Sequence, residues 1–182
     1  MKKFLELLLA LSLLLVACRG GSLYAEPVTL LDGKLKFDTT DVFVVDTDAK
    51  KSSKQSIADF KGRNSDGWGA ILRGTHGLQP DGLTIYLDKK VAEYTKGLSW
   101  LPRLNWLKKE IVTINGRKWA DLRFIAPREN AKDALDGLMY TRILATSYGG
   151  QLLEIMFTSN TDPNRALKEK MDKAIESVSL QD

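Results

Sequence analysis

The chain has 182 residues, with one cysteine and one histidine, and its 27 lysines and arginines exceed its 23 aspartates and glutamates, for a formal net charge of +4 at pH 7. The positive charges are dispersed without a run of five or more, so the composition argues for solubility and against nucleic-acid binding. A single cysteine and a single histidine exclude an intramolecular disulfide and the usual zinc site of nitrogen and sulfur ligands.

The chain begins with a charged segment followed by an apolar run. Lys2 and Lys3 precede an apolar stretch that reaches Val16 with interruptions only at Glu6 and Ser12. This stretch is shorter than the roughly 20 residues that a transmembrane helix needs, and no stop-transfer pattern follows it. We therefore predict a secretory signal peptide over residues 1–17 and no permanent transmembrane helix.

The end of the apolar run resembles the lipobox of bacterial lipoproteins. Leu15, Val16 and the small Ala17 lead directly into Cys18. The resemblance implies lipidation of the Cys18 thiol, cleavage between Ala17 and Cys18, and acylation of the new amino terminus. Each buried methylene contributes about 0.8 kcal/mol, so two or three acyl chains anchor a protein durably. The alternative is an incidental Cys18 with cleavage near Ala25.

The remaining length indicates one folded unit. Residues 18–26 are predicted to be the lipidated cysteine and a short flexible spacer. Residues 27–182 are close to the usual size of one domain, and they contain no internal repeat or proline-rich break. We therefore expect a single domain that starts near Pro27 and is stabilised by an ordinary apolar core.

Short strands are predicted at the start of this domain. Asp32-Gly33 favours a two-residue turn, because both central positions of such a turn need a positive φ, and leads into a strand at Leu35–Phe37. Residues 42–45 form a short apolar strand candidate between aspartates. The polar residues 50–56 are predicted to be a loop.

Two further strands and a helix are predicted in the next segment. The apolar residues 68–73 and 83–87 flank a turn at Pro80-Asp81-Gly82 and are predicted to pair as antiparallel strands. Asp88 can then cap a helix through Lys96, because its carboxylate can accept hydrogen bonds from free N–H groups of the first turn. Gly97 stands where a left-handed residue commonly ends a helix.

The second half of the domain carries the clearest hairpin patterns. Residues 103–107 follow Pro102 and are predicted to be a strand with Leu104 and Trp106 on one face. Asn115-Gly116 predicts a hairpin between residues 110–114 and 117–126, since Asn-Gly is the preferred type I′ pair. Gly149-Gly150 predicts a second hairpin between residues 138–148 and 151–158.

The chain ends in a predicted amphipathic helix. Asp162-Pro163 supplies a capping residue and a first-turn proline. Apolar residues then recur at helical spacing: Ala166, Leu167, Met171, Ala174, Ile175 and Val178. Hairpins make neighbouring strands antiparallel, and two helices with one apolar stripe each can cover such a sheet. The predicted class is α+β, with a central antiparallel sheet and helices packed on its faces.

Residues 27–37 resemble the opening of the mature domain of DcrB-type envelope lipoproteins. Residues 114–118, and the last hairpin with its terminal helix, are similar in order and spacing. The resemblance implies the fold shared by PsbP, Mog and LpqN-type proteins, which are mostly adaptors or binding modules. It brings no catalytic residue and no cofactor. The protein that gives the family its name is associated with bacteriophage adsorption and envelope lipoprotein biogenesis.

The residue after the lipidated cysteine departs from this family. DcrB-type proteins carry aspartate there, the usual signal for retention in the inner membrane of enteric bacteria. This chain has Arg19, which permits transport to the outer membrane. The resemblance therefore favours the inner membrane, whereas Arg19 favours the outer membrane, with the domain facing the periplasm in both cases.

Three patterns are candidates for sites of chemistry. His76 lies in a Gly-Thr-His-Gly segment and is predicted to be a turn or loop histidine. Asp46-Thr47-Asp48 resembles the start of a calcium loop, but Lys50 occupies the next ligand position, so no metal site is predicted. Neither a nucleophile motif nor a nucleotide-binding fingerprint is present in the sequence. We expect no enzymatic activity.

Tryptophan density marks a candidate interaction surface. Trp100 and Trp106 flank Pro102 and Arg103 in a segment without a clean period. One interpretation is core packing. The other is an exposed patch of Trp100, Arg103 and Trp106 that docks on a partner protein or lies at the membrane interface.

These patterns together predict a lipid-anchored envelope protein that binds or scaffolds without catalysis. The expected partners are the membrane, through the lipid anchor, and an envelope protein. Neither a metal, a cofactor nor a nucleic acid is expected. A periplasmic carrier of a small apolar ligand is the alternative, and a hydrolase is a third.

Overall fold

A computed structural model of the protein describes residues 27–39, 43–47, 54–62, 67–97, 104–127, 137–160 and 165–182. Along these ranges the chain forms ten strands and two α-helices. Their bounds are β1 Val28–Leu30, β2 Leu35–Phe37, β3 Phe43–Val45, β4 Ser56–Gly62, β5 Gly67–Gly77, a 3₁₀ turn Pro80–Gly82, α1 Leu83–Gly97, β6 Asn105–Ile114, β7 Arg117–Pro127, β8 Leu138–Tyr148, β9 Gln151–Asn160, α2 Arg165–Glu176 and β10 Ser179–Leu180.

The strands form two antiparallel sheets. The large sheet has seven strands in the order β3-β4-β5-β9-β8-β7-β6, and the small sheet has the order β1-β2-β10. Helices lie on both faces of the large sheet, so the predicted α+β class with helices on an antiparallel sheet is confirmed. Neither helix of the described ranges is long and apolar enough to cross a bilayer.

One face of the large sheet, called here the α2 face, is covered by α2 and the small sheet. Phe37 of the small sheet packs edge-on against Phe60 and Phe157 of the large sheet, with ring centroids 5.5 and 6.1 Å apart. Met171 and Ile175 of α2 are fully buried in the same cluster. This aromatic and aliphatic layer is the larger part of the core.

The opposite face, called the α1 face, is covered by α1 over β6, β7 and β8. Leu83, Leu87, Val91 and Tyr94 follow one another at helical spacing and face the sheet. They pack against apolar side chains of the sheet, among them Ala120, Leu122, Phe124, Ala126, Ile143, Ala145 and Leu152.

The strand predicted over residues 83–87 is wrong, because these residues form the first turns of α1. Pro80 lies in the first turn of the preceding 3₁₀ segment, which continues directly into the helix. Asp88 is therefore inside α1 and does not cap it. Gly97 is the last helical residue and does not have the positive φ expected of a left-handed terminus.

The loop predicted over residues 50–56 also needs correction at its end. Ser56 begins β4, in which Ser56, Ala58 and Phe60 are buried, and Ala58 and Phe60 belong to the cluster on the α2 face. Residues 50–53 lie outside the described ranges. The strands predicted over residues 103–107 and 110–114 are one strand, β6, which begins at Asn105 and whose register shifts between Trp106 and Lys108. Residue 103 lies outside the described ranges.

The two later hairpins are confirmed. Asn115 and Gly116 have φ of 48° and 80°, and both glycines of Gly149-Gly150 are also at positive φ. Residues 31–34, in contrast, form a four-residue turn between Leu30 and Leu35 instead of a two-residue turn at Asp32-Gly33. The terminal helix is confirmed as far as Glu176, with Met171, Ala174 and Ile175 buried, whereas Val178 lies beyond its end. Its predicted start at Asp162-Pro163 lies outside the described residues.

Candidate functional site

An open cleft of about 610 Å³ lies on the α1 face between α1 and the strands β5 and β9. We call it the α1 cleft. Leu78, Ile85 and Leu152 supply apolar surface to it, and Ile85 is 61% exposed. A concave surface with apolar lining and a few polar groups is the usual form of a binding site.

Local irregularity of β5 shapes this cleft. The register of β5 against β9 shifts between Arg73 and Gly77, where β5 holds two more residues than β9. The chain then leaves the sheet at Leu78, whose N–H donates to Gly150 and whose carbonyl accepts from the Ser147 hydroxyl, at 3.0 and 2.5 Å. These contacts fix the point at which the 3₁₀ turn directs α1 across the sheet.

A charged group forms one wall of the α1 cleft. The Tyr86 hydroxyl donates to the Glu154 carboxylate at 2.5 Å, and the Lys90 ammonium lies 3.2 Å from the same carboxylate. Glu154 stands on β9, whereas Tyr86 and Lys90 stand one turn apart on α1. The carboxylate therefore ties the helix to the sheet.

Two members of this wall, Tyr86 and Lys90, keep their protons near neutral pH. Burial, together with the neighbouring Glu154 carboxylate, raises the pKa of Tyr86 far above its ordinary value. Burial opposes the charge of Lys90, but attraction to Glu154 and its hydrogen bond leave the pKa of Lys90 above its ordinary value. A neutral tyrosine and a charged lysine are suited to binding and positioning.

A second concavity of about 490 Å³ lies at the turn end of the sheet. Arg117, Ser147 and Asp182 line it together with the Gly149-Gly150 turn. Arg117 is already engaged, since it donates to the Ser147 carbonyl at 2.8 Å and forms an ion pair with Asp182. This concavity is smaller and less apolar than the α1 cleft.

A buried charge network lies on the opposite, α2 face. Arg142 is 1% exposed and Asp121 is 0% exposed, and the guanidinium donates to both carboxylate oxygens at 3.1 and 2.8 Å. Arg123 also donates to Asp121, at 2.7 Å. From α2, Asp172 and Glu176 accept from Arg142 at 3.1 and 3.2 Å.

The network holds α2 against the centre of the sheet. The Tyr140 hydroxyl and the Lys168 ammonium each donate to Asp172 at 2.8 Å. Burial and Asp172 raise the pKa of Tyr140 well above its usual range. Burial alone would raise the pKa of Asp172, but these hydrogen bonds and the charge of Arg142 leave it below its ordinary value. We interpret the group as structural, because its members satisfy one another.

The residues singled out in the sequence are distributed unevenly. Ala17, Cys18, Trp100 and Arg103 lie outside the described residues. Trp106 is partly buried and packs edge-on against Phe124, with ring centroids 5.2 Å apart. This position is compatible with core packing of Trp106, and the patch of Trp100, Arg103 and Trp106 stays a prediction.

Two other candidates are placed by the structure. His76, predicted in a turn or loop, lies instead in the irregular end of β5, where it lines the α1 cleft. Asp46 forms an ion pair with Lys61 at 3.2 Å. Within the described ranges, no three histidine, aspartate or glutamate side chains are grouped as metal ligands would be.

The charged wall of the cleft, Tyr86, Lys90 and Glu154, is not predicted from the sequence. Tyr86 and Lys90 have the spacing of one helical turn. They are not placed on one helix from the sequence, because residues 83–87 are predicted to be a strand. Asp121 and Arg142 are not predicted either. Each is a charged residue inside a strand of a predicted hairpin, and charged residues in such positions are rarely buried without a partner.

A comparison with protein-family models and with curated proteins finds no match. Solved structures do match. The cyanobacterial PsbP of Synechocystis sp. PCC 6803 has a TM-score of 0.61 at 12% identity, over 90% of this chain and 97% of that chain. The Ran-binding protein Mog1p of Saccharomyces cerevisiae has a TM-score of 0.58 at 8% identity, over 85% of this chain and 94% of that chain.

LpqN of Mycobacterium tuberculosis, described as involved in cell envelope biogenesis, has a TM-score of 0.46 at 14% identity, over 86% of this chain and 90% of that chain. The likeness to PsbP and Mog1p, at such low identities, concerns the fold alone. The fold expected from the sequence is therefore confirmed as PsbP-like and Mog-like.

Proposed function

We propose that this protein is a lipid-anchored binding or scaffold domain of the bacterial envelope, of the DcrB type and without catalytic activity. The observation that carries the binding role is the α1 cleft. Its apolar side chains Ile85 and Leu152 are accessible, while its charged wall is satisfied within itself. Such a surface offers contact area and orientation to a partner.

The fold supports a protein partner. Mog1p, which has a similar fold, is described as a Ran-binding protein, so a domain of this architecture can work by protein recognition. In this protein, the α1 cleft supplies the surface that such recognition requires. The partner proposed here is an envelope protein that inserts an apolar side chain beside Ile85.

Substitution in the cleft tests this role. Ile85→Glu places a charge in the apolar part of the cleft, whereas Thr84→Glu places the same charge on the neighbouring exposed position of α1. We expect Ile85→Glu to abolish capture of an envelope protein from mild detergent extracts, and Thr84→Glu to retain it. Both variants should melt at the same temperature as wild type. Equal capture by wild type and Ile85→Glu would contradict the proposal.

A carrier of a small apolar ligand is the second candidate, favoured by the lining of the same cleft. Leu78, Ile85 and Leu152 could hold an alkyl or aromatic group. Native mass spectrometry of the purified protein separates the two functions. A bound small molecule that disappears in Ile85→Glu would favour the carrier, and protein without such an adduct would favour the scaffold.

The anchor determines where the domain works. Cys18 follows the apolar run at the position that a lipobox requires, so we propose that acyl chains on Cys18 hold the domain on the periplasmic side of a membrane. Arg19 favours the outer membrane. Membrane fractionation of wild type and Arg19→Asp tests this choice, because we expect the variant to move to the inner membrane.

A further inference from the structure

The described chain enters the fold at a defined end of the large sheet. Pro27 precedes Val28, which pairs with Phe37, and Phe37 packs on Phe60 and Phe157. The opposite end of β2 follows Lys34, whose ammonium lies 6.0 Å from the ring centre of Tyr148 beside the Gly149-Gly150 turn. Pro27 therefore lies toward the end of the large sheet opposite the hairpin turns. We call this end of the large sheet the tether end.

The length of the spacer favours this end as the one near the anchor. A flexible chain of nine residues, the length of residues 18–26, has a root-mean-square extension of about 16 to 18 Å. Phe157 marks the level of the tether end in β9, and Gln151 follows the Gly149-Gly150 turn at the other end. The distance between these two residues along β9 is about 20 Å, at about 3.3 Å per residue. A flexible spacer of this predicted length would keep the tether end nearer to the bilayer than the turn end.

Three of the exposed large apolar side chains in the described ranges lie in the half of the large sheet nearer to the tether end. They are Val45, Trp68 and Leu107, with 39%, 45% and 41% exposure. They belong to both edge strands and one interior strand of the large sheet: β3, β5 and β6. Six strand spacings of about 4.8 Å place the two edges about 29 Å apart.

Two tryptophans mark this level of the sheet. The register places one residue from each of five neighbouring strands in a single row across the sheet. In order from β5 to β6, these residues are Trp68, Thr158, Thr141, Phe124 and Trp106. Directly paired residues of an antiparallel sheet point to the same face, so Trp68 and Trp106 share the α1 face at one height. Their strands are four spacings apart, or about 19 Å.

Exposed apolar side chains spread over about 29 Å fit a bilayer surface better than a pocket on one partner. Tryptophan has an apolar ring with one polar N–H and is enriched at the level of lipid headgroups. The Lys109 ammonium lies 5.6 Å from the Trp106 ring centre, and such a lysine suits anionic headgroups. Lys61, which stands opposite Trp68 in the register of β4 and β5, is ion-paired with Asp46.

We propose that the tether end of the large sheet rests on the bilayer, with Trp68 as its principal interfacial side chain. This proposal rests on the lipid anchor proposed above. It has a consequence for the α1 cleft, because Leu78 and Leu152 lie near the Gly149-Gly150 turn at the other end of the sheet. The cleft is then held away from the lipid and open to partners in the periplasm.

Site-specific labels test this orientation in the full-length lipidated protein. Cys18 is the only cysteine in the sequence, and lipidation consumes its thiol, so an introduced cysteine reacts alone. Lys61→Cys reports on the tether end. Lys118→Cys is the matched control, because it is exposed on β7 next to the Asn115-Gly116 turn at the opposite end.

Each labelled protein is bound to vesicles of anionic and zwitterionic lipids that carry a nitroxide on the headgroup. We expect about twofold more quenching of the label at residue 61 than at residue 118, because tryptophan settles at headgroup depth. Trp68→Ser should reduce that contrast while sedimentation with vesicles stays unchanged. Equal quenching at both sites, or stronger quenching at residue 118, would overturn the orientation.

The same experiment distinguishes self-association of the protein, and loss of the lipid anchor, from the proposed orientation. If the contrast appears only at high protein density on the vesicles, a second copy of the chain covers this end and the proposal is wrong. If a thiol-reactive label modifies Cys18 of wild type and the protein does not sediment with vesicles, the anchor itself fails and the orientation fails with it. A lipidated protein with equal quenching contradicts the orientation alone.

Discussion

The Arg142 guanidinium donates two hydrogen bonds to the Asp121 carboxylate in a part of the sheet that solvent does not reach. The two residues stand on neighbouring strands, β7 and β8, and both face α2. A buried ion pair contributes little compared with apolar packing, but its separation is costly, because the remaining charge has lost its hydration. The pair therefore makes the position of α2 sensitive to single substitutions.

Removal of Arg142 should destabilise the fold strongly. We expect Arg142→Met to lower the free energy of unfolding by about 3 kcal/mol, at the lower end of the range for broken buried pairs, since Arg123 still contacts Asp121. Urea denaturation followed by circular dichroism measures this change.

The matched control is Lys108→Met, which removes an exposed ion pair with Glu110. Such pairs contribute about 0 to 1 kcal/mol. Similar losses for the two variants would show that burial of Arg142 does not have the energetic importance assigned to it.

Protonation of Asp172 should make the free energy of unfolding depend on pH in the acid range. Its pKa in the folded protein is below the ordinary value, so the ionised form contributes stability that is complete above about pH 4 and is lost as the pH falls through the folded pKa. In Asp172→Asn this contribution is absent. We expect the free energy of unfolding of the variant to decline less steeply than that of wild type below about pH 4. Parallel curves in urea titrations from pH 5 downward would refute this assignment.

Gly69 should not tolerate a side chain. A Cβ atom at Gly69 would overlap the Phe157 ring, which lies in the aromatic cluster with Phe37, Phe43 and Phe60. We expect Gly69→Ala to cost about 1 to 3 kcal/mol, as overpacked cores do. Gly97→Ala is the opposite case, because Gly97 is helical with open space around it, and it should stabilise the protein by up to about 1 kcal/mol. Thermal melts that rank the two variants in reverse would contradict the packing described.

The two tryptophans of the α1 face should differ in their effect on stability. Trp68→Ser removes a side chain that is 45% exposed, and we expect a change of about 0.5 kcal/mol or less. Trp106→Ser removes an edge-on contact with Phe124, and we expect a loss of about 1 to 3 kcal/mol. An unchanged melting temperature for Trp106→Ser would instead support the exposed patch inferred from the sequence.

The hairpins and the terminal helix are predicted well from the sequence because their determinants are local. Asn115-Gly116 and Gly149-Gly150 require positive φ at their own positions, and alternation on either side fixes the register. The helix α1 is predicted only in part. The start of α1, from Leu83 to Leu87, is apolar at both ends and therefore resembles a strand. Only the continuation of helical spacing to Val91 identifies this segment as a helix.

The candidate site is much harder to predict than the fold. Tyr86 and Glu154 are 68 residues apart in the chain, and Asp121 and Arg142 are 21 apart, so their contacts depend on strand order and on the path of α1. Hydrophobic periodicity assigns residues to faces, but it does not say which strands are neighbours. Periodicity does show that Asp121 is a charged residue on the buried face of a strand. Such a residue indicates a buried partner, because charged residues are rarely buried alone.

Metabolic labelling with a fatty-acid probe, followed by intact-mass analysis, tests the central claim most directly. For wild type we expect incorporation of the probe and a mature chain that begins at acylated Cys18, and for Cys18→Ala no incorporation. Equal labelling of the two proteins, or a wild-type chain whose amino terminus is unmodified and lies upstream or downstream of Cys18, would contradict an anchored envelope domain.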